Sequence, residues 1–311
     1  MKANCQSIFG ALKLLGTTLI SMTAMAEVTT IATLPNSYND AINFNRNGNL
    51  YISNIGEFDQ NGQLTGTEIY KVRQDGTVTI GLGDLSGPIG NTFDSRGNFY
   101  IASLNNGNIF KRSRLGHLEQ LSTIPASVGG GMAYHPKRGL LVTSCFDGGI
   151  YQIDRYGSAT VFSDDPLLAA CPIGITFDRQ GNMYVGNYSD GRIIKFDKDG
   201  NISVLATLDI AGNNIGYLVF AAGHLYTTSL ATNKIYKVTL EGEVSEFAGS
   251  GGFGNQDGAN EEATFGLPNG ITTDRNHSAI YITEYFSPHV RKITINQATP
   301  SSSPSSNSNH Q

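Results

Sequence analysis

The chain has 311 residues, 39% of them hydrophobic and 15% charged, which is enough apolar material for a sizeable core. A net charge of −5 without any basic block argues against a nucleic-acid surface or an anionic-membrane patch. With 37 Gly, 14 Tyr and 15 Phe among many Val, Ile and Thr, the composition favours short strands joined by tight turns.

Residues 1–26 place Lys2 and Lys13 ahead of an apolar run, "LLGTTLISMTAMA", that ends in Ala24-Met25-Ala26. This pattern predicts a secretory signal peptide cleaved before Glu27, and hence export to a periplasm or the outside. A membrane anchor needs about 20 apolar residues, and Thr and Ser interrupt this run, so no membrane span is expected. Cys5 leaves with the leader. Cys145 and Cys171 remain, a pair suited to one disulfide in an oxidising compartment.

The segment "VTTIATLP" from Val28 reads as a strand, and after it one phrase returns six times. Its aromatic or aliphatic marker falls at Tyr51, Tyr100, Leu141, Tyr184, Tyr226 and Tyr281, with spacings of 49, 41, 43, 42 and 55 residues. Ile109, Ile150, Ile193, Ile235 and Val290 each follow their marker by 9 residues, and Gly116, Gly157, Gly200 and Gly242 by 16. In the first copy Ile69 follows by 18 and Gly76 by 25, so that copy carries a nine-residue insertion. One unit reads as four strands, "IGITFD", "MYVGN", "RIIKFD" and "NISVLATL", joined by the turns "RQGN" and "KDG". A period in the forties built from four strands predicts an all-β, six-bladed β-propeller with four-stranded blades over residues 27–296. The last copy lacks its fourth strand, and the N-terminal strand is expected to complete that blade and close the ring. Residues 297–311, rich in Ser, Pro and Asn, are expected to be a disordered tail.

The stretch "LPNGITTDRNHSAIYITEYFSPHVRKI", preceded by "GSGGFGNQDGANEEATF", resembles an NHL-repeat signature. All six copies are similar to NHL-repeat propellers and to the gluconolactonase/regucalcin superfamily, a scaffold that hosts hydrolases, lyases, binders and interaction modules.

Functional variation on a rigid scaffold collects in loops, and two columns of the repeat border one rim. Three residues after the marker stand Asn54, Ser103, Ser144, Asn187, Ser229 and Glu284, of which only Glu284 is ionisable. At the start of the first strand stand Asp40, Ile89, Gly130, Ile173, Ile215 and Asn269. Copies one and six are neighbours in a closed ring. Asp40, Asn54, Asn269 and Glu284 are therefore expected on one side of the mouth, overhung by the insertion after Tyr51 and by the Gly-rich connection from Gly249 to Gly266, with Ile89, Ile173 and Ile215 opposite. Asn54, Asn187 and the three isoleucines are the expected ligand contacts.

Asp40, Asn269 and Glu284 are hard oxygen donors suited to Ca²⁺ or Mg²⁺. The resemblance implies such an ion at the mouth, polarising a lactone carbonyl beside a carboxylate base. The column where that family carries its catalytic aspartate holds only Asn, Ser and Glu284 here, which makes Glu284 and the nearby His289 the catalytic candidates. His135, His224 and His277 fall at turns on the opposite rim. The run "GSGGFGNQDG" lacks the Lys and helix of a phosphate loop, and no organic cofactor is indicated. The expectation is a monomer that binds a small molecule at its mouth. A metal-assisted lactone or ester hydrolase (or lyase) and a protein-interaction scaffold are the alternatives.

Overall fold

Each phrase becomes one antiparallel sheet because its turns leave the chain no other course. In "DRQG" the turn needs a left-handed residue, and Gly181 takes φ +90° where a Cβ would strain the backbone. The computed structural model describes residues 27–124 and 130–295, and it shows six such sheets in a ring. The expected signal peptide and tail lie outside the described residues. Among these residues no helix is long and apolar enough to cross a membrane.

Five blades have four strands in sequence order, spanning residues 39–82, 88–123, 132–163, 172–207 and 215–248. The sixth comprises Pro268–Thr273, Ala279–Glu284 and His289–Thr294, and Glu27–Thr33 pairs antiparallel with the last of these. The N-terminal strand thus closes the ring, as the missing fourth strand requires. A fifth short strand, Gly258–Ala259, caps the outside of Glu27–Thr33.

Apolar side chains fill the spaces between blades, each layer drawing on both neighbours. Tyr184 and Ile193 of the fourth blade pack with Leu218, Leu225 and Val238 of the fifth. The next layer joins Tyr226 and Ile235 to Ile271, Ile280, Ile282 and Ile293. At roughly 25 cal/mol per Å² of buried apolar area, these interblade layers supply most of the favourable folding energy.

Hydrogen bonds staple the blades near the channel. The hydroxyl of Thr143 donates to the Ile173 carbonyl at 3.0 Å, that of Thr228 to Asn269 at 2.6 Å, and that of Thr283 to Asp40 at 2.6 Å. This closeness needs glycine. A Cβ on Gly270 would lie 2.1 Å from the Asp40 carbonyl oxygen, and one on Gly216 would lie 2.2 Å from Thr228 Oγ1.

Candidate functional site

The innermost strands line the channel, and five of them break their ladder near its mouth. Register shifts fall between Asn39 and Ile42, Pro88 and Asn91, Pro172 and Gly174, Ile215 and Leu218, and Pro268 and Ile271. A bulge of this kind re-aims the side chain within it. Asp40, Ile89, Ile173, Tyr217 and Asn269 lie in these shifts and face one cavity of about 480 Å³.

The cavity is an apolar cup. Ile55 and Phe58 come from the first-blade insertion, Leu230 and Ala231 from the fifth blade, and Leu267 precedes the sixth. Cys145 and Cys171 form a disulfide that makes part of the wall, tying the third blade to the fourth. Phe58, Phe146 and Phe286, on loops joining second and third strands, are exposed.

Asp40 is the acidic group lining this cup, and it is only 5% exposed. The Tyr217 hydroxyl and the Ala41 amide donate to its Oδ1, the amide at 2.8 Å, and Asn269 Nδ2 donates to Oδ2 at 2.8 Å. Burial pushes the carboxyl up to about 6 despite these three donors. Burial and the neighbouring Asp40 charge raise the Tyr217 hydroxyl well above its ordinary value, so it stays a donor. Near the rim, Asn214 Nδ2 donates to the Tyr188 hydroxyl at 2.9 Å.

Of the residues expected here from sequence, Asp40, Asn269, Ile89 and Ile173 line the cup. Ile215 does not. It pairs with Ser229 as Pro172 pairs with Asn187 and Asn39 with Asn54, so it stands one position before the Asp40 column and is buried in the core. Gly216 fills that column, and Tyr217 is the residue that reaches Asp40.

Asn54 and Asn187 also miss the cavity. Strand side chains alternate between faces, and in the second strands one face meets the following blade while the other meets the loop arriving from the preceding blade. Asn54 Nδ2 donates to the Ser37 carbonyl at 2.6 Å, and Asn187 Nδ2 to the Leu167 carbonyl at 2.7 Å.

Glu284 shares that placement. It is fully buried, and its Oε1 accepts from Arg291 Nη1 at 3.0 Å and from the Gly266 amide at 3.3 Å. Burial raises its carboxyl, with the Ser287 hydroxyl and the Arg291 charge pulling the other way. Arg291, also without exposed surface, donates to the carbonyls of Thr264 and Gln256 and to Asp257, with its guanidinium 5.1 Å from the Phe265 ring centroid. The pair clamps the long Gly-rich connection onto the outer part of the sixth blade, where Asp257 also accepts from Thr30. No residue of that connection, from 249 to 266, lines the cup.

His289 contacts Ser287 Oγ at 2.8 Å and Asn255 Nδ2 at 3.3 Å, pairs with Thr33, and does not line the cup. Burial, then the Arg291 charge, lowers its pKa.

Of the expected cation donors, Asp40 and Asn269 line the cup while Glu284 is turned to Arg291. Calcium takes 6–8 oxygens, whereas both Asp40 oxygens already accept from protein donors and Asn269 presents its nitrogen. Among the described residues no group of three or more His, Cys, Asp or Glu gathers.

No family model and no curated protein matches this chain. Solved structures do. A streptogramin B lyase superposes with a TM-score of 0.62 at 17% identity, over 88% of this chain and 98% of its own. A gluconolactonase from Xanthomonas campestris gives 0.64 at 16% identity, over 87% and 90%. An auxiliary nutrient binding protein from Bacteroides thetaiotaomicron gives 0.67 at 18% identity, over 86% and 76%. What they share with this chain is the six-bladed propeller. The fold expected from the gluconolactonase-like and NHL-like resemblance is the fold found, and at these identities the likeness shows the fold alone.

Tyr217 at the cup and Arg291 beside Glu284 escaped the sequence reading, and both left a signal. Tyr217 stands where the other copies carry Ala41, Gly90, Gly131, Gly174 and Gly270. Arg291 stands where they carry Tyr70, Phe110, Tyr151, Ile194 and Tyr236.

Proposed function

We propose that this chain is an exported propeller that binds one small, largely apolar molecule in the mouth cup, with a polar group of the ligand meeting Asp40, Tyr217 and Asn269. One observation carries the reading: a carboxylate is kept buried at an apolar cavity, held by donors from the fifth and sixth blades. Folding alone gains nothing from a charge there, and such groups cluster at functional sites. The exposed phenylalanines on the loops beside the cup suit an apolar ligand, and a disulfide in its wall suits an oxidising compartment. A structural neighbour described as nutrient-binding is consistent with this role.

The test is a thermal-shift screen of small lactones, hydroxylated aromatics and sugars, with hits re-measured by calorimetry. Binding should weaken about tenfold or more in Asp40→Asn, which replaces a charged partner, and should be blocked in Ala231→Trp, which fills the cup. Hits indifferent to both substitutions would place the ligand elsewhere.

A catalytic reading is second, favoured by the elevation of the Asp40 carboxyl to about 6, near the working range of a general base. It requires turnover of a lactone or ester, or elimination from one, that disappears in Asp40→Asn while ligand binding persists.

A further inference from the structure

The opposite rim carries the turns between first and second strands and between third and fourth strands. There a groove of about 750 Å³ separates the first two blades, and it has an unusual charge. Arg46, Lys71, Arg112, Arg114 and Arg275 line it, and no Asp or Glu does. Among the described residues none of these five forms an ion pair. They stand together on a chain whose net charge is −5.

The geometry is convergent. Arg46 from the first blade and Arg114 from the second approach the same turn, their Cδ atoms lying 3.4 and 3.7 Å from where a Gly97 Cβ would be. Arg275 of the sixth blade is held by donating to the Arg46 carbonyl at 2.7 Å. One wall is aromatic, Phe93 and Phe99 being stacked with centroids 4.4 Å apart. Five like charges in one concavity repel one another, and the low-dielectric wall weakens the screening that open water would supply. A bound anion removes that repulsion, and guanidinium forks from two blades match the paired oxygens of phosphate or carboxylate.

We infer that this groove is a second binding site, separate from the mouth, for a small molecule carrying at least two anionic groups. Calorimetric titration of the intact protein with pyrophosphate, with citrate, and with sodium chloride at matched ionic strength tests it. Pyrophosphate or citrate should bind saturably at one per chain, and whichever binds tighter identifies the anionic group. In the Arg46→Glu/Arg114→Glu double variant that affinity should fall by about a hundredfold, about tenfold for each guanidinium removed. Lys198→Glu, an exposed cation in a turn of the fourth blade, should leave it unchanged. The inference is overturned if neither anion binds beyond the chloride control, or if Lys198→Glu weakens binding as much as the double variant. It is equally overturned if a single-stranded oligonucleotide outcompetes both anions, which would make the groove a nucleic-acid surface.

Discussion

Replacing Asp40 with Asn tests whether the mouth carries a function that costs stability. Its carboxyl rises from 3.8 to about 6 on folding, which is about 3 kcal/mol at roughly 1.4 kcal/mol per pKa unit. Because the folded value is the higher one, the protonated carboxyl favours the fold. That contribution is complete below about pH 3.8 and is lost as pH rises through about 6. An amide at this position never ionises. Its oxygen can accept from Tyr217 and Ala41 as Oδ1 does, once Asn269 rotates its own amide to offer an oxygen to the new nitrogen. The stability of Asp40→Asn relative to the parent protein should therefore grow by about 2 kcal/mol between pH 4 and pH 8. For a chain of this size that is a relative Tm shift of roughly 3–4 °C. Urea unfolding of both proteins at a series of pH values reads it directly, and the difference cancels other titrating groups. A gap that stays flat with pH would refute the account, because burial of an ionised carboxylate would then not be what the protein tolerates.

Four further outcomes follow from the same geometry. Arg291→Met should lower stability by about 3–5 kcal/mol in denaturant unfolding by stranding Glu284, and adding Glu284→Gln should restore much of it. Limited proteolysis of Arg291→Met should cut within residues 249–266, the connection that Arg291 fastens. Reduction of Cys145–Cys171, which closes a loop 26 residues long, should cost about 3 kcal/mol, read as a lower urea midpoint with dithiothreitol and no change in an alkylated control. Gly270→Ala should destabilise by several kcal/mol in the same assay, since its Cβ would meet the Asp40 carbonyl at 2.1 Å, whereas alanine at the open turn of Gly181 meets no atom and suffers only its φ of +90°.

The sheets were legible because spacing survives where identity does not. The markers keep their intervals through the second to fifth copies, the first copy departs only by its nine-residue insertion, and a propeller converts interval into pairing. Ring closure was legible for the same reason, a strand missing at one end and spare at the other. The site was legible only where sequence position and backbone pairing agree. "Ile-Gly" occurs at Ile89-Gly90, Ile173-Gly174 and Ile215-Gly216, yet the fifth blade pairs Ile215 where the second and fourth pair Pro88 and Pro172. A slip of one residue turns every side chain to the other face. That is why an expected ligand contact became core and Tyr217 went unnoticed. Glu284 stood out correctly as the ionisable member of its column. Its partner was the equally anomalous Arg291, and only the fold shows that two odd residues in adjacent strands neutralise each other away from the mouth.

The seam of the ring joins Val28 to Ile293 and Thr29 to Lys292, so the last sheet needs both ends of the chain at once. Closing so long a loop costs only slightly more entropy than a short one, but it cannot occur until the final strand has been made. A chain interrupted before His289 would leave Glu27–Thr33 paired only with the short strand Gly258–Ala259 and present an open edge ready to pair with other chains. The sixth sheet is therefore the last to be completed, because its seam joins the first strand of the ring to the final one.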